Sequence, residues 1–419
     1  MALPETLDQL PTQGPSQMHP SIISSRMGLI KPSPSIAAKA LVDDLRAQGQ
    51  NVLDFTIGEP DLPTPAHIGA AANAAIARGE TKYTSTLGTP VLRRAIAAKL
   101  GRTLGLDYGA DEIVVGCGAK QVIFSALTAS LEDGNEVIIS APYWVSYPDM
   151  VTMNGGTPVI VRCDADVGFK LTAAALEAAI TPRTRWLILN SPNNPTGAVY
   201  TAAELRDLCV VLERHPHVWV MSDEIYEPYV YDGGTAVSPL ALMPALKQRS
   251  LLINGMSKAY AMTGWRVGYG AGPRELVKAI STILSQSSTC TSSVSQAAAV
   301  VALEGDQACV GEMVGIFEQR RNRMAALLNE IPGIACTPSA GAFYLYASVK
   351  GLLGKQTDTG KFLETDLDVV MFFLNKAGVA VLDGTAYGLS PYLRFSFATS
   401  LEVIEEGCER LKRAVATLR

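Results

Sequence analysis

From about residue 90 to residue 305 the chain alternates short apolar runs with longer amphipathic ones, and this limits the fold more than any other feature. Ile113–Val115, Glu136–Ser140, Pro158–Arg162, Trp186–Asn190, Val218–Ser222, Leu251–Asn254 and Val267–Ala271 are rich in Val, Ile and Leu. Runs of this kind read as strands buried on both faces. Helical periodicity lies between several of them, at Ala119–Leu131, Ala173–Ile180 and Ala202–His215. Buried strands joined by helical crossovers predict an α/β fold around a mostly parallel sheet covered on both sides.

Beyond residue 305 the texture changes. Gln307–Ile331 has the spacing of one helix of about seven turns, stopped by Pro332-Gly333. Phe343–Val349, Val379–Leu382 and Leu393–Phe397 read as strands, and Asp366–Ala377 and Leu401–Leu418 as helices. This predicts a smaller α+β domain built from residues 306–419 and joined by residues 24–62. Residues 63–305 are then the large domain, and residues 1–23 a flexible N-terminal arm.

Composition excludes several functions. A charged fraction of 18% and a formal charge of −5 leave no basic footprint for nucleic acid, and no Lys/Arg run suggests a membrane patch. The seven cysteines are scattered without a C-x-x-C pair, which fits reduced thiols in a cytoplasmic protein. With four histidines in all, a catalytic metal is not expected. The segment Met1–Pro20 has acids where a signal peptide needs bases, and it lacks an apolar core.

Several strings stand at the ends of the expected strands, where open α/β sheets bind ligands. Lys258 follows the apolar run Ser250–Ile253, and Arg266 lies eight residues further on among small residues. A lysine desolvated there has a depressed pKa and an amine free for imine chemistry. The arginine offers a planar fork to a phosphate. Gly116-Cys-Gly-Ala-Lys-Gln121 opens a helix, whose first N–H groups suit an anion. Asp223-Glu-Ile-Tyr226 places a carboxylate at a strand end, able to hold a ring nitrogen protonated. Asn190-Ser-Pro-Asn-Asn-Pro-Thr-Gly197 can present an asparagine amide, and Tyr143-Trp144 a stacking ring. Arg394, inside the apolar string Pro391–Phe397, needs an anion from protein or substrate. Each string alone also fits a plain reading: a turn, an N-cap or core packing.

Taken together and in order, these strings carry a resemblance. Gly58-Glu-Pro-Asp61, Lys82-Tyr-Thr84, Gly118-Ala-Lys-Gln121, Pro142-Tyr-Trp-Val-Ser-Tyr147, Ser191–Gly197, Ser222–Tyr226, Ser257-Lys258 with Met262–Arg266, and Arg394 closely resemble the bacterial aspartate aminotransferase family. These are class I/II aminotransferases, pyridoxal phosphate enzymes of fold type I. The resemblance runs from about Ser24 to the C-terminus and implies a large domain with a seven-stranded sheet plus a smaller one.

It also implies roles. Lys258 is the Schiff-base and proton-transfer lysine, Asp223 the partner of the pyridine nitrogen, and Tyr226 and Asn194 the partners of the phenolic oxygen. Trp144 stacks on the ring. Arg266, Gly118, Ala119, Lys120 and Ser257 hold the phosphate, with Tyr83 reaching the phosphate of a neighbouring subunit in a homodimer. Gly255 stands where the family often has a serine. Arg394 takes the substrate α-carboxylate with the Gly58 backbone nearby. Lys120 and Ser33 match positions near the distal carboxylate.

The implied activity is ping-pong transfer of an amino group between aspartate or glutamate and their 2-oxo acids. Prephenate or aromatic acceptors remain open, and a carbon–sulfur lyase would share the cofactor motifs. A cofactor-sensing transcription regulator lacks its DNA-binding domain here, and a nicotinamide dehydrogenase lacks its glycine fingerprint.

Overall fold

The computed structural model describes residues 22–32 and 34–419. Its twelve strands are β1 Leu53–Asp54, β2 Ile113–Gly116, β3 Glu136–Ala141, β4 Thr157–Arg162, β5 Thr184–Asn190, β6 Trp219–Asp223, β7 Ser250–Gly255, β8 Gly268–Ala271, β9 Tyr344–Ser348, β10 Val379–Ala380, β11 Leu382–Asp383 and β12 Tyr392–Ser396. Seven of them form one sheet in the order β2-β8-β7-β6-β5-β3-β4. These are the seven runs read from the sequence. All are parallel except β8, which runs antiparallel to both β2 and β7.

That one reversal positions the site. Asn190 pairs with Asp223 across β5 and β6, and Asp223 with Ile253 across β6 and β7, so the carboxyl ends of these strands coincide. The reversed β8 begins at the same edge. Its Gly268 pairs with Gly255 on one side and with Gly116 on the other. Arg266, just before β8, therefore arrives beside the loop after β2. A sequence pattern does not distinguish a parallel from an antiparallel buried strand, so this followed only from the assembled sheet.

Helices cover both faces. Ala119–Ser130 packs Val122, Ile123, Ala126 and Leu127 against β2, β7 and β8. Ala202–Arg214 starts with a capping box in which Thr201 and Glu204 satisfy each other's backbone N–H groups. Its Leu205, Leu208 and Leu212 enter the core on the opposite face.

The later part differs from expectation in two places. Val379–Leu382 is not one strand: β10 pairs with β1, and β11 joins β12 and β9 in a separate sheet. Val381 lies between the two strands, where the chain passes from one sheet to the other. The long helix spans Ala308–Asn329, nearer six turns than seven, and Asp366–Phe372 passes into a π-helical turn at Phe373–Ala377. One hydrophobic core joins Leu53 and Phe55 to Phe317, Phe343, Phe395 and Leu411, so the early segment packs with the C-terminal part. Among the described residues no helix is long and apolar enough to cross a membrane, and no His/Cys/Asp/Glu cluster is arranged to hold a metal.

Candidate active site

A cavity of about 440 Å³ opens at the carboxyl edge of the large sheet, where the C-terminal part closes against it. Lys258, Asp223, Tyr226, Asn194, Ser257, Arg266, Ala119, Lys120, Trp144, Gly58 and Arg394 all line it. Gly118 borders it as the N-cap of the helix Ala119–Ser130. Ser33 lies outside the described residues. Tyr83 stands apart: its side chain is 87% exposed and lines a separate surface pocket beside Cys290 and Ser292. A single chain does not bring it to the cavity.

Lys258 sits in the one-turn helix Met256–Ala259 that follows β7. Its Nζ donates to the Gly58 carbonyl at 2.6 Å. Burial lowers its pKa to about 8, the nearby guanidinium groups push the same way, and Glu59 opposes them. The amine is therefore available in its neutral, nucleophilic form close to neutral pH.

Asp223 faces it from the end of β6 and is buried. Burial raises its pKa to about 6, opposed by hydrogen bonds from Tyr147 and from the Ile225 N–H. The Tyr226 hydroxyl shares a 2.9 Å hydrogen bond with that of Tyr344. Asn194 is set by its own loop, whose backbone N–H donates to Asn190 Oδ1 at 2.9 Å.

Arg394 reaches the cavity from β12 and is 2% exposed. Its Nη1 donates to Asn194 Oδ1 at 3.1 Å and its Nη2 to the Thr56 carbonyl at 2.6 Å. The guanidinium lies 4.4 Å from the Tyr344 ring centre, and its buried Nε has no hydrogen-bond partner. A buried guanidinium with an orphaned donor is suited to an incoming carboxylate.

Arg266 adopts a left-handed backbone at φ 56° and donates to the carbonyls of Thr263 and Cys117. Its guanidinium lies against Gly118, itself at φ 86°, where a Cβ would stand 2.5 Å from Nη2. The contact leaves the helix N-terminus and the guanidinium facing one small space, a cradle for a phosphate. Gly255 lies on the far side of this edge. A Cβ there would meet the Gly268 Cα and the Val267 carbonyl at 2.9 Å, so close packing of β7 on β8 leaves no room for a side chain.

Lys120 donates to Ser146 Oγ at 3.2 Å and lies 4.7 Å from the Trp144 ring centre. Burial and the charge of Arg266 lower its pKa. The Trp144 ring meets Tyr147 edge-on at 5.3 Å. Among the described residues none of Lys120, Lys258, Arg266 and Arg394 forms a salt bridge. Their hydrogen bonds end on carbonyl, hydroxyl and amide oxygens.

In the sequence Tyr147 stands out only as part of a string, and Thr56, Tyr344 and Glu59 carry no signal of an individual role. Tyr344 comes from β9 and Thr56 follows β1, far from Lys258 in sequence. The short polar string Gly58-Glu-Pro-Asp61 was the one local signal for that side of the cavity.

Four basic side chains without a salt bridge, one of them a lysine of depressed pKa, and a buried carboxylate opposite that lysine, all gathered at the edge of a seven-stranded sheet, define a pyridoxal phosphate enzyme of fold type I. The chain belongs to the family of class I and II aminotransferases, whose signature it matches over residues 50–411. It is 50% identical over 391 residues to the aspartate aminotransferase of Rhizobium meliloti strain 1021, covering 93% of this chain and 95% of that protein. It is 48% identical over 398 residues to the aspartate/prephenate aminotransferase of Cereibacter sphaeroides, covering 95% and 100%. The crystal structure of the aspartate aminotransferase from Rhizobium meliloti superposes with a TM-score of 0.93 at 50% identity, over 96% of this chain and all of that one.

Proposed function

We propose that the chain transfers the amino group of aspartate or glutamate to 2-oxo acids by a ping-pong reaction, with Lys258 as the covalent and proton-moving residue. The four basic side chains without a salt bridge around one cavity carry this reading. A cofactor phosphate and two substrate carboxylates would supply the anionic partners that Arg266, Arg394 and Lys120 do not find among the described residues.

The residues fit the cofactor. Arg266, Ser257 and the backbone of Gly118, Ala119 and Lys120 would hold its phosphate. Asp223 would keep its ring nitrogen protonated, Trp144 would cover the ring, and Tyr226 and Asn194 would bind the phenolic oxygen. When bound, pyridoxal phosphate supplies an electron sink for negative charge at the substrate Cα. Arg394 orients the substrate by its α-carboxylate. The Lys258 amine, whose neutral form burial makes accessible, takes the Cα proton and returns it elsewhere.

Lys120 is the cation assigned to the distal carboxylate, and Ser33, outside the described residues, is a second residue assigned to it. The relative named for both aspartate and prephenate supports a second acceptor, prephenate, for the same cavity. The exposed ring of Tyr83 supports a homodimer in which this side chain completes the partner's phosphate site. The shared core of residues 53–55 and 313–415 supports a small domain of residues 24–62 and 306–419, with residues 63–305 as the large one.

The test is direct. Given aspartate and 2-oxoglutarate, the cofactor-loaded protein forms glutamate and oxaloacetate, and borohydride fixes the cofactor on Lys258. Ammonia release in place of glutamate, or a label on another residue, overturns the reading.

A further inference from the structure

The described part of the segment before β1 is dominated by one helix, Pro34–Ala47. It docks through Ala38, Val42 and Leu45, spaced as one helical face, against Tyr346, Leu382 and Leu389 on one side and Val52 and Leu374 on the other. The adjoining stripe, Ile36 and Lys39, lines the active-site cavity. Lys39 is thus a fifth cation of that cavity, carried by an element separate from the large sheet.

Its present partner is a weak one. Lys39 Nζ lies 3.2 Å from Asp43 Oδ2, one turn along the same helix, with the two side chains 64% and 54% exposed. Exposed pairs at this spacing contribute little, so a substrate anion can displace the aspartate at small cost. The other cations are committed by chemistry: Lys258 to the amine step, Arg266 to the phosphate and Arg394 to the α-carboxylate. Lys120 and Lys39 remain for a second carboxylate.

We propose that Lys39 is a specificity-determining residue, which pairs with the distal carboxylate of dicarboxylic substrates across the cavity from Lys120. The inference rests on the aminotransferase reading above and adds a residue to it. A short monocarboxylic amino acid gains nothing from Lys39. Selection between acidic and uncharged donors is then shared between the helix Pro34–Ala47 and the large sheet.

The test compares kcat/KM for aspartate with kcat/KM for alanine, and measures the inhibition constant of succinate, in wild type, Lys39→Met and Lys39→Arg. An exposed charge pair corresponds to about 1.5- to fivefold in binding. Lys39→Met is expected to lower the aspartate-to-alanine ratio by about that factor, mainly through KM, and to weaken succinate equally. Lys39→Arg is expected to restore most of both. Asp43→Asn, which frees Lys39, is expected to tighten succinate. A ratio and a succinate constant unchanged in Lys39→Met, or a loss equal for both donors, overturns the proposal. Wild type without aspartate transamination would instead overturn the parent reading, so the two failures are distinguishable.

Discussion

The Tyr147 hydroxyl donates to Asp223 Oδ2 at 2.6 Å, and both groups are buried. Burial alone drives the Asp223 carboxyl toward its neutral form, and this hydrogen bond opposes it. Tyr147 therefore helps keep the carboxylate ionised for a protonated ring nitrogen. A hydrogen bond to a charged group contributes about 1.5–3 kcal/mol. Tyr147→Phe is expected to raise the Asp223 pKa above about 6 and move the acid limb of cofactor binding to higher pH. Equilibrium dialysis of pyridoxal phosphate against pH reads the shift. An acid limb that stays in place would show that the bond does not tune Asp223.

Glu224 makes a second pH prediction. It is buried, accepts hydrogen bonds from Ser222 and Ser238 at 2.7 Å each, and has a pKa raised by burial to about 7. A carboxyl with a folded pKa above its unfolded value binds more protons when folded. Stability therefore falls as pH rises from about 4.5 through about 7. Glu224→Gln removes that term. The drop in Tm between pH 5 and pH 8 should be smaller in the variant than in wild type, by an amount worth on the order of 1–3 kcal/mol. Parallel Tm curves for the two proteins would contradict the assignment.

Removing Arg394 leaves a substrate carboxylate unpaired in a largely dry cavity, a loss of roughly 3–5 kcal/mol. Arg394→Ala should lower kcat/KM for every amino acid donor by about 10²- to 10⁴-fold. Steady-state kinetics on aspartate and alanine separate this from a distal effect, because the α-carboxylate is common to both.

Lys120→Ala should behave differently. Its effect is expected to be larger on aspartate than on phenylalanine, since only aspartate carries a second carboxylate. Equal losses in kcat/KM would remove Lys120 from substrate choice and leave it with the phosphate.

Gly118→Ala tests the cradle. At φ 86° an L side chain is strained, and the new Cβ would stand 2.5 Å from Arg266 Nη2. The guanidinium must move, so the dissociation constant of the cofactor should rise about tenfold or more, for roughly 1–2 kcal/mol of strain and displacement. Near-normal far-UV circular dichroism would confirm that the fold survives.

The seven strands of the large sheet were legible because each is an apolar run buried on both faces, which local composition reports. So were Lys258, Asp223, Asn194 and Arg266, each on a short string at the end or start of such a run. Lost from view was whatever depends on direction and on distance through space. The antiparallel sense of β8 brings Arg266 beside Gly118, and the pairing of Tyr147 with Asp223 joins residues 76 apart in the chain. Arg394 was visible as a charge in an apolar strand, but its grip on the Thr56 carbonyl spans 338 residues. Local sequence encodes which segments are buried and which turns break them. Only packing of those segments into one body decides which charges face a common cavity, because desolvation and hydrogen bonding act across space.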